Sequence, residues 1–168
     1  MPEALASGTQ TIFHYKANVT PPRDYEEWGT LIEKLVRHLV SRYGLEEVRA
    51  WYFEVWNEPN LAGFWRGTQE EYFMLYRYAA EVIKRVDVKI PVGGPSTAAD
   101  AWIPEFREYC RKNHIPLDFI TTHQYPTDVT LGHGMDMEER LARSERVILT
   151  RKAQQSRKEA GDLPLFYT

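Results

Sequence analysis

The sequence predicts an α/β fold, and within that class part of a TIM (β/α)8 barrel. Segments with a helical period of 3.6 residues alternate with short hydrophobic runs, as in folds built around a parallel sheet. The runs are hydrophobic throughout, which is typical of strands buried on both faces. Three of them end in polar residues, "WNEP", "GGPS" and "HQYP", and (β/α)8 barrels carry their chemistry at the carboxyl ends of their strands. A doubly wound sheet would need a longer glycine-rich turn than "VGGPS".

The elements are predicted in the following order. An extended, irregular segment comes first, "QTIFHYKANVTPP", followed by a helix with Asp24 and Glu27 as a capping box and Gly44 at its end. Thr68 and Glu71 form a second capping box, at the start of another helix. The remaining predictions are a buried strand over 48–59, the second helix over 68–87, a strand over 88–96, a helix over 101–114, a strand over 116–126, a long polar helix over 137–161 with Leu141 and Ile148 facing inward, and a last strand over 162–168.

Length and composition favour one domain, residues 1–168, and exclude several classes of function. A chain of 168 residues is too short for two ordinary domains. A net charge of −3, with no long run of one sign, gives no support for nucleic-acid or membrane-surface binding. The single cysteine, Cys110, excludes a disulfide framework, and the histidines lack metal-ligand spacing. No 18-residue apolar run and no signal-peptide pattern are present, which predicts a cytoplasmic protein if this is its true N-terminus.

Glu58 is the first candidate catalytic residue. It lies between Asn57 and Pro59, where a hydrophobic strand gives way to a loop, and Trp56 is part of the apolar wall beside it. Apolar surroundings favour the protonated form of a carboxylic acid, as a general acid requires. The 10 Tyr, 7 Phe and 5 Trp of the chain suit stacking against sugar rings, although aromatic cores are commoner. A surface carboxylate at the end of a strand is the alternative interpretation.

The chain resembles glycoside hydrolase family 39. "WNEP" at a strand end is similar to the acid/base motif of a large clan of (β/α)8 glycoside hydrolases. "MPEALASG", "VTPPRDYEEWGTLI", "WYFEVWNEPNL", "VGGPSTA" and "HQYP" together extend the resemblance to this family over essentially the whole chain. The family contains retaining β-xylosidases and α-L-iduronidases, so the resemblance implies a glycosidase that needs no metal or organic cofactor.

The resemblance also implies roles for individual residues. Glu58 would be the general acid/base, and Asn57 would hold the 2-hydroxyl of the substrate. His123 and Tyr125 would lie near the subsite for the cleaved sugar. The substrate would be a xylo-oligosaccharide or another small glycoside. Gly93 and Gly94 would let the backbone approach the pocket.

Retaining hydrolysis needs a second carboxylate, about 5 to 5.5 Å from the first, as nucleophile. Asp100 and Asp128 follow strand ends and could reach the pocket. Asp118 begins its strand, so it would lie at the opposite end of the barrel. Glu54 lies about 13 Å deeper along the strand than Glu58, at about 3.3 Å per residue, and is expected to be a buried, paired structural residue.

The family resemblance places the nucleophile elsewhere. Family 39 carries it on strand seven, and Thr168 matches the residue immediately before it. The chain would then run from the end of strand three to most of strand seven. We therefore expect a fragment without hydrolase activity of its own, whose open sheet edges and exposed apolar interior favour aggregation or pairing with a second copy.

Three interpretations of function remain open on the sequence. The first is a retaining β-xylosidase that cleaves β-1,4-xylosidic bonds. The second is another sugar specificity, such as α-L-iduronidase, or another glycosidase of the same clan. The third is non-catalytic: a half-barrel that works with another chain, either in assembly or by binding sugar without cleaving it.

Overall fold

The computed structural model describes residues 1–128, 134 and 136–168, and its main feature is a four-stranded parallel sheet. The strands are adjacent in the order in which they occur along the chain, as in an arc of a (β/α)8 barrel. This arrangement confirms the predicted α/β fold. The described strands of the sheet are β3 (Phe53–Glu54), β4 (Val92–Ala98), β5 (Phe119–His123) and β6 (Leu165–Tyr167), and a separate antiparallel hairpin consists of β1 (Thr11–Ile12) and β2 (Ala17–Asn18).

Helices follow the strands and are capped largely as the sequence predicts. The described α-helices are α1 (Tyr25–Tyr43), α2 (Leu45–Arg49), α3 (Gln69–Val86), α4 (Ile103–Lys112), α5 (Met137–Arg143) and α6 (Ile148–Ala160). Asp24 accepts hydrogen bonds from two backbone N–H groups of α1, and Gly44 ends that helix with φ 89°. Thr68 and Glu71 form the complete capping box of α3. None of the helices in the described part of the chain is long and apolar enough to cross a membrane.

The core lies between the sheet and the helices, and α3 forms its centre. Tyr72 and Tyr76 of α3 are fully buried, and the ring of Tyr76 lies 4.6 Å from that of Phe106 in α4. Cys110 packs in the same core, and burial raises the pKa of its thiol to about 12. A thiol held in the protonated form is unreactive.

The long polar helix predicted over 137–161 is wrong, because the structure contains two helices separated at residues 144–147. Ser144 takes an extended conformation and its hydroxyl donates to the carbonyl of Pro126, a contact that a local helical pattern cannot reveal. Ile148 is buried as expected, whereas Leu141 is 61% exposed, so its predicted inward orientation is also wrong.

The strand predicted over 48–59 is shorter in the structure. Its first residues belong to α2, and β3 covers only Phe53–Glu54. Arg49 makes a two-pronged ion pair with Asp87 at the end of α3, at 3.0 and 2.6 Å, which fixes α2 against the rest of the fold. The front segment, predicted to be extended and irregular, contains the β1–β2 hairpin.

Two glycines give opposite expectations for substitution by alanine. A Cβ at Gly93 would overlap the carbonyl and ring of Phe119 on the neighbouring strand, whereas a Cβ at Gly29 of α1 would lie 3.5 Å from Val82. We expect Gly93→Ala to lower the free energy of unfolding by about 1–3 kcal/mol through overpacking. The matched variant, Gly29→Ala, should raise it by up to about 1 kcal/mol, because alanine is the better helix former. Urea denaturation followed by circular dichroism measures both, and equal effects of the two variants would contradict this account.

Candidate active site

The carboxyl ends of β3, β4 and β5 bring three polar residues into direct contact. These residues are Glu58 after β3, Ser96 in β4 and His123 at the end of β5. The carboxylate oxygen Oε1 of Glu58 lies 2.9 Å from Nδ1 of His123. The side chains of Glu58 and His123 are only 14% and 11% exposed. The structure therefore joins two predicted site residues that are 65 positions apart in the sequence.

The backbone at Glu58 is fixed to the neighbouring strand. Its N–H donates to the carbonyl oxygen of Ser96 at 2.8 Å, and its own carbonyl accepts from Leu61 at 3.0 Å. The residue has a left-handed conformation, with φ 46°. For a side chain other than glycine this conformation is unfavourable, and surrounding contacts must hold it. The hydrogen bonds on both sides of Glu58 supply that restraint.

Ser96 lies at an irregularity in the sheet. The register between β4 and β5 shifts between Pro95 and Thr97, and Ser96 has φ 54°. Such a bulge changes the direction of a side chain near the end of a strand. The fully buried hydroxyl of Ser96 lies 3.3 Å from Nε2 of His123. Both ring nitrogens of His123 are thus in contact with protein atoms.

Asn60 fastens the loop after β3 to the end of β4. Its side-chain amide donates to the carbonyl of Ala98 at 2.9 Å, and its side-chain oxygen accepts from the N–H of Ala98 at 2.8 Å. Sequence reasoning missed both Asn60 and Ser96. The only signal for them was their position within the strand-end motifs "WNEPN" and "GGPS".

An aromatic wall lies beside this loop, as the sequence predicts. The indole N–H of Trp56 donates to the carbonyl of Phe64 at 2.9 Å, and the rings of Trp56 and Trp65 meet edge to face at 5.3 Å. Trp65 is 2% exposed and its indole N–H donates to the carbonyl of Thr68. The wall is therefore held by hydrogen bonds as well as by ring packing.

The structure places Asn57 and Tyr125 on the open side of the site. Asn57 is exposed and lines a cavity of about 480 Å³ together with Trp56 and residues of the hairpin, among them Phe13. Tyr125 is 58% exposed, and its backbone N–H donates to Asp128 at 2.6 Å. Both side chains are thus free to meet a ligand, although neither contacts Glu58 in the hydrogen bonds of the described residues.

The expected burial of Glu54 is wrong. Its side chain is exposed on one face of the sheet and accepts a hydrogen bond from the hydroxyl of Thr168 at 3.1 Å. Tyr52 and Phe166, which are 60% and 38% exposed, lie on the same face. Two aromatic side chains of this face are therefore exposed.

The predicted access of the backbone to the pocket at the two glycines is also wrong. The space that a side chain would take at Gly93 is filled by Phe119. At Gly94 a Cβ would lie 3.0 Å from the hydroxyl of Tyr72. Gly93 allows β4 to approach β5 closely and Gly94 allows β4 to approach α3, and both glycines are buried.

The candidate second carboxylates have other contacts. Asp128 accepts from the N–H of Tyr125 and from the side-chain amide of Gln124, and thereby fixes the loop after β5. Burial, and to a smaller extent the negative charge of Glu58, raise the pKa of Asp128. Asp118 lies at the opposite end of the sheet, as predicted, and forms an ion pair with Lys84 at 2.7 Å.

Asp100 follows β4 and is directed towards α6. Burial raises the pKa of its carboxyl, while Ser156 and Lys152 of that helix act in the opposite direction. Its backbone N–H donates to the carbonyl of His123 at 3.2 Å. Asp100 therefore supports the end of β5 from the helical side.

No metal site is found among the described residues, since no group of three or more His, Cys, Asp or Glu side chains is arranged to hold an ion. His133 lies outside the described residues.

Comparison with known families decides the affiliation. The model of glycosyl hydrolases family 39 matches residues 1–168. The chain belongs to this family. The resemblance noted in the sequence motifs is thereby confirmed.

Relatives in this family are similar over large parts of the chain. A β-xylosidase from Caldicellulosiruptor saccharolyticus is 60% identical over 169 residues, which cover 100% of this chain and 35% of the relative. A β-xylosidase from Geobacillus stearothermophilus is 51% identical over 128 residues, 74% of this chain and 25% of the relative. The chain thus spans about a third of the length of the first of these relatives and about a quarter of the second.

Solved structures agree with the sequence comparison. A monomeric β-xylosidase from Caulobacter crescentus CB15 superimposes with a TM-score of 0.85 at 39% identity, over 99% of this chain and 35% of that one. A family 39 enzyme from Xanthomonas axonopodis pv. citri gives a TM-score of 0.86 at 39% identity, over 99% and 34% of the two chains. The four-stranded sheet is therefore part of a (β/α)8 barrel.

Proposed function

We propose that this chain supplies the general acid/base of a retaining β-xylosidase, and that Glu58 is that residue. The observation that carries the proposal is the contact of 2.9 Å between Glu58 and His123, which lie at the carboxyl ends of β3 and β5, on either side of β4 in the sheet. A carboxylate that is mostly buried, fixed by its backbone and placed at a strand end is suited to proton transfer. Two β-xylosidases with 60% and 51% identity support the choice of sugar.

The reaction proceeds in two displacements on the anomeric carbon. In the first, Glu58 gives its proton to the glycosidic oxygen as the bond from that oxygen to carbon 1 breaks, and a second carboxylate bonds to carbon 1. In the second, the ionised Glu58 takes a proton from water, whose oxygen bonds to carbon 1 as the carboxylate leaves. Glu58 ends in its starting, protonated state, and the xylose keeps the β configuration.

Substrate binding is assigned to the exposed polar groups around Glu58. Asn57 donates to the 2-hydroxyl of the sugar that is cleaved, where a hydrogen bond strengthens in the transition state. Tyr125 offers an exposed ring and hydroxyl just after the end of β5. His123 lies at the same subsite and acts through Glu58, because its two ring nitrogens already contact Glu58 and Ser96.

The nucleophile is proposed to come from outside residues 1–168. Asp128 is occupied by two hydrogen-bond donors of its own loop, and Asp100 is directed towards α6. The first relative is about three times as long as this chain, so further barrel strands are available in such a protein. We therefore expect no turnover of an aryl β-xyloside by the 168-residue chain alone.

An α-L-iduronidase specificity has weaker support. The human α-L-iduronidase is 34% identical over 92 residues, which cover 54% of this chain. The β-xylosidase from Caldicellulosiruptor saccharolyticus covers all of it at nearly twice that identity. A xylo-oligosaccharide is therefore the favoured substrate class.

A chimera tests the proposed function. Residues 1–168 replace the matching segment of the Caldicellulosiruptor β-xylosidase, and hydrolysis of nitrophenyl β-xyloside is followed by absorbance, with the anomer formed first identified by proton NMR. We expect turnover with release of β-xylose, and none by the 168-residue chain. A folded chimera without turnover, or one that prefers an iduronide, would contradict the proposal. Turnover by the 168-residue chain that is lost in Glu58→Gln would contradict the external nucleophile.

A further inference from the structure

Ser96 connects the proposed acid to the rest of the site in two ways. Its carbonyl oxygen accepts the N–H of Glu58, and its hydroxyl lies 3.3 Å from Nε2 of His123. It is fully buried, and it lies at the register shift of β4 with φ 54°. An unfavourable conformation at a buried position points to a local requirement for this residue. Direct contact with a sugar does not explain this requirement, because Ser96 has no exposed surface that a sugar could touch.

The contacts of His123 allow two arrangements of one ring proton. A neutral imidazole carries its proton on one nitrogen and accepts a hydrogen bond at the other. With the proton on Nδ1, the ring donates to Glu58 and accepts from the hydroxyl of Ser96. With the proton on Nε2, the ring donates to Ser96, and Nδ1 can accept a proton or a hydrogen bond from Glu58.

The two arrangements differ in whether the proton of Glu58 is free to reach the glycosidic oxygen. A protonated Glu58 that donates to Nδ1 of His123 has its proton directed at the ring and away from the glycosidic oxygen. A ring that donates from Nδ1 leaves that proton free for the leaving group, and it stabilises the carboxylate formed after transfer. Asp128 lies close enough to Glu58 for the charges of the two carboxylates to interact.

We propose that Ser96 is a positioning residue for the general acid: its hydroxyl donates to Nε2 of His123, keeps the ring proton on Nδ1, and so directs the proton of Glu58 to the leaving group. This inference rests on the proposed role of Glu58. Ser96 touches neither the substrate nor the reacting atoms, and it acts through His123 alone. The backbone bond from Glu58 to the carbonyl of Ser96 is independent of the side chain and remains when the hydroxyl is removed.

The first test reads the ring proton directly and needs no activity. The 168-residue chain is labelled with ¹⁵N-histidine, the signals of His123 are assigned with His123→Asn, and two-bond ¹H–¹⁵N spectra identify the protonated nitrogen. We expect the proton on Nδ1 in the original chain and a mixture of both forms in Ser96→Ala. Thr122→Val, which removes a buried hydroxyl bonded to the carbonyl of Thr97 on the same pair of strands, should leave the signals unchanged. A proton on Nε2, a doubly protonated ring, or identical spectra for Ser96→Ala would overturn the proposal.

The second test uses the chimera and compares leaving groups. Loss of acid positioning slows the cleavage of a poor leaving group, which needs protonation, more than that of a good one. We expect Ser96→Ala to lower kcat/KM about tenfold for methoxyphenyl β-xyloside and less than about twofold for dinitrophenyl β-xyloside. Ser96→Gly, which suits the positive φ, should behave in the same way, and Thr122→Val should change neither value. Equal losses for the two substrates would assign Ser96 a purely structural role and overturn the inference.

The two tests also separate this inference from the proposed function. If the chimera shows no xylosidase activity while Ser96→Ala still alters the ring proton, the proposed function fails and the link between Ser96 and His123 stands. If the chimera is active and the ring proton does not respond, the inference fails and the proposed function stands.

Discussion

Glu58→Gln in the chimera is expected to lower kcat/KM for methoxyphenyl β-xyloside by about 10²- to 10⁴-fold, the usual contribution of general acid–base catalysis. Glutamine keeps the size of the side chain and can still contact His123, but it cannot give a proton to the glycosidic oxygen. The loss should be much smaller for dinitrophenyl β-xyloside, because its leaving group departs without protonation. Steady-state rates with the two substrates measure the difference.

The control is a glutamate far from the site. Glu105 lies exposed in the first turn of α4, and Glu105→Gln should leave both rates unchanged. Circular dichroism of both variants excludes unfolding as the cause of a loss. If Glu58→Gln slows the two substrates equally, or keeps more than about a tenth of the activity on the poor one, Glu58 is not the general acid.

Tyr72→Ala is expected to lower the free energy of unfolding by about 3–5 kcal/mol, as for other large side chains removed from a packed core. Tyr72 is fully buried against Trp65 and Phe106, and its hydroxyl lies 3.0 Å from the carbonyl of Val55 and 3.1 Å from that of Pro95. Those carbonyls precede the strand ends that carry the site. Burial raises the pKa of the hydroxyl, which therefore remains a donor at any physiological pH.

Two further variants separate packing from hydrogen bonding. Tyr72→Phe keeps the ring and leaves the two carbonyls without their donor, so its expected loss is about 1–3 kcal/mol. Tyr15→Ala removes a ring that is 63% exposed and should change stability by less than about 0.5 kcal/mol. Urea denaturation measures all three variants. A loss for Tyr72→Ala no larger than that for Tyr15→Ala would contradict the central place of α3 in the core.

The parts of the fold predicted from the sequence are those that local chemistry determines. Asp24 and Thr68 cap the first N–H groups of their helices with their side chains, and Gly44 takes the positive φ that ends α1. The helices therefore begin and end at these residues. The apolar residues of α3, spaced at the helical period, are likewise its buried residues, because a helix that packs against one core buries one face.

The errors arise where distant residues decide the local structure. At the break, Ser144 donates a hydrogen bond to Pro126, and the short helix α2 is held against the fold by the ion pair between Arg49 and Asp87. Glu54 is expected to be buried from its depth along the strand, yet its side chain is exposed and accepts a hydrogen bond from Thr168. In each case the deciding partner lies well away along the chain, so a window of a few residues could not contain it.

The candidate site was found only in part for the same reason. Glu58 and His123 lie in recognisable strand-end motifs, and parallel strands place such ends side by side. The contribution of Ser96 depends on a bulge, and that of Asn60 depends on a pair of hydrogen bonds to Ala98. Neither feature has a residue pattern of its own, so neither could be read from the sequence.

The most direct test of the role of Glu58 is azide rescue of Glu58→Ala in the chimera with dinitrophenyl β-xyloside. In this variant the covalent intermediate forms but lacks a base to activate water, and azide needs no base to attack carbon 1 as the carboxylate leaves. We expect azide to increase turnover and to give β-xylosyl azide, identified by proton NMR. No increase in turnover, or formation of the α-azide, would contradict Glu58 as the acid/base of a retaining enzyme.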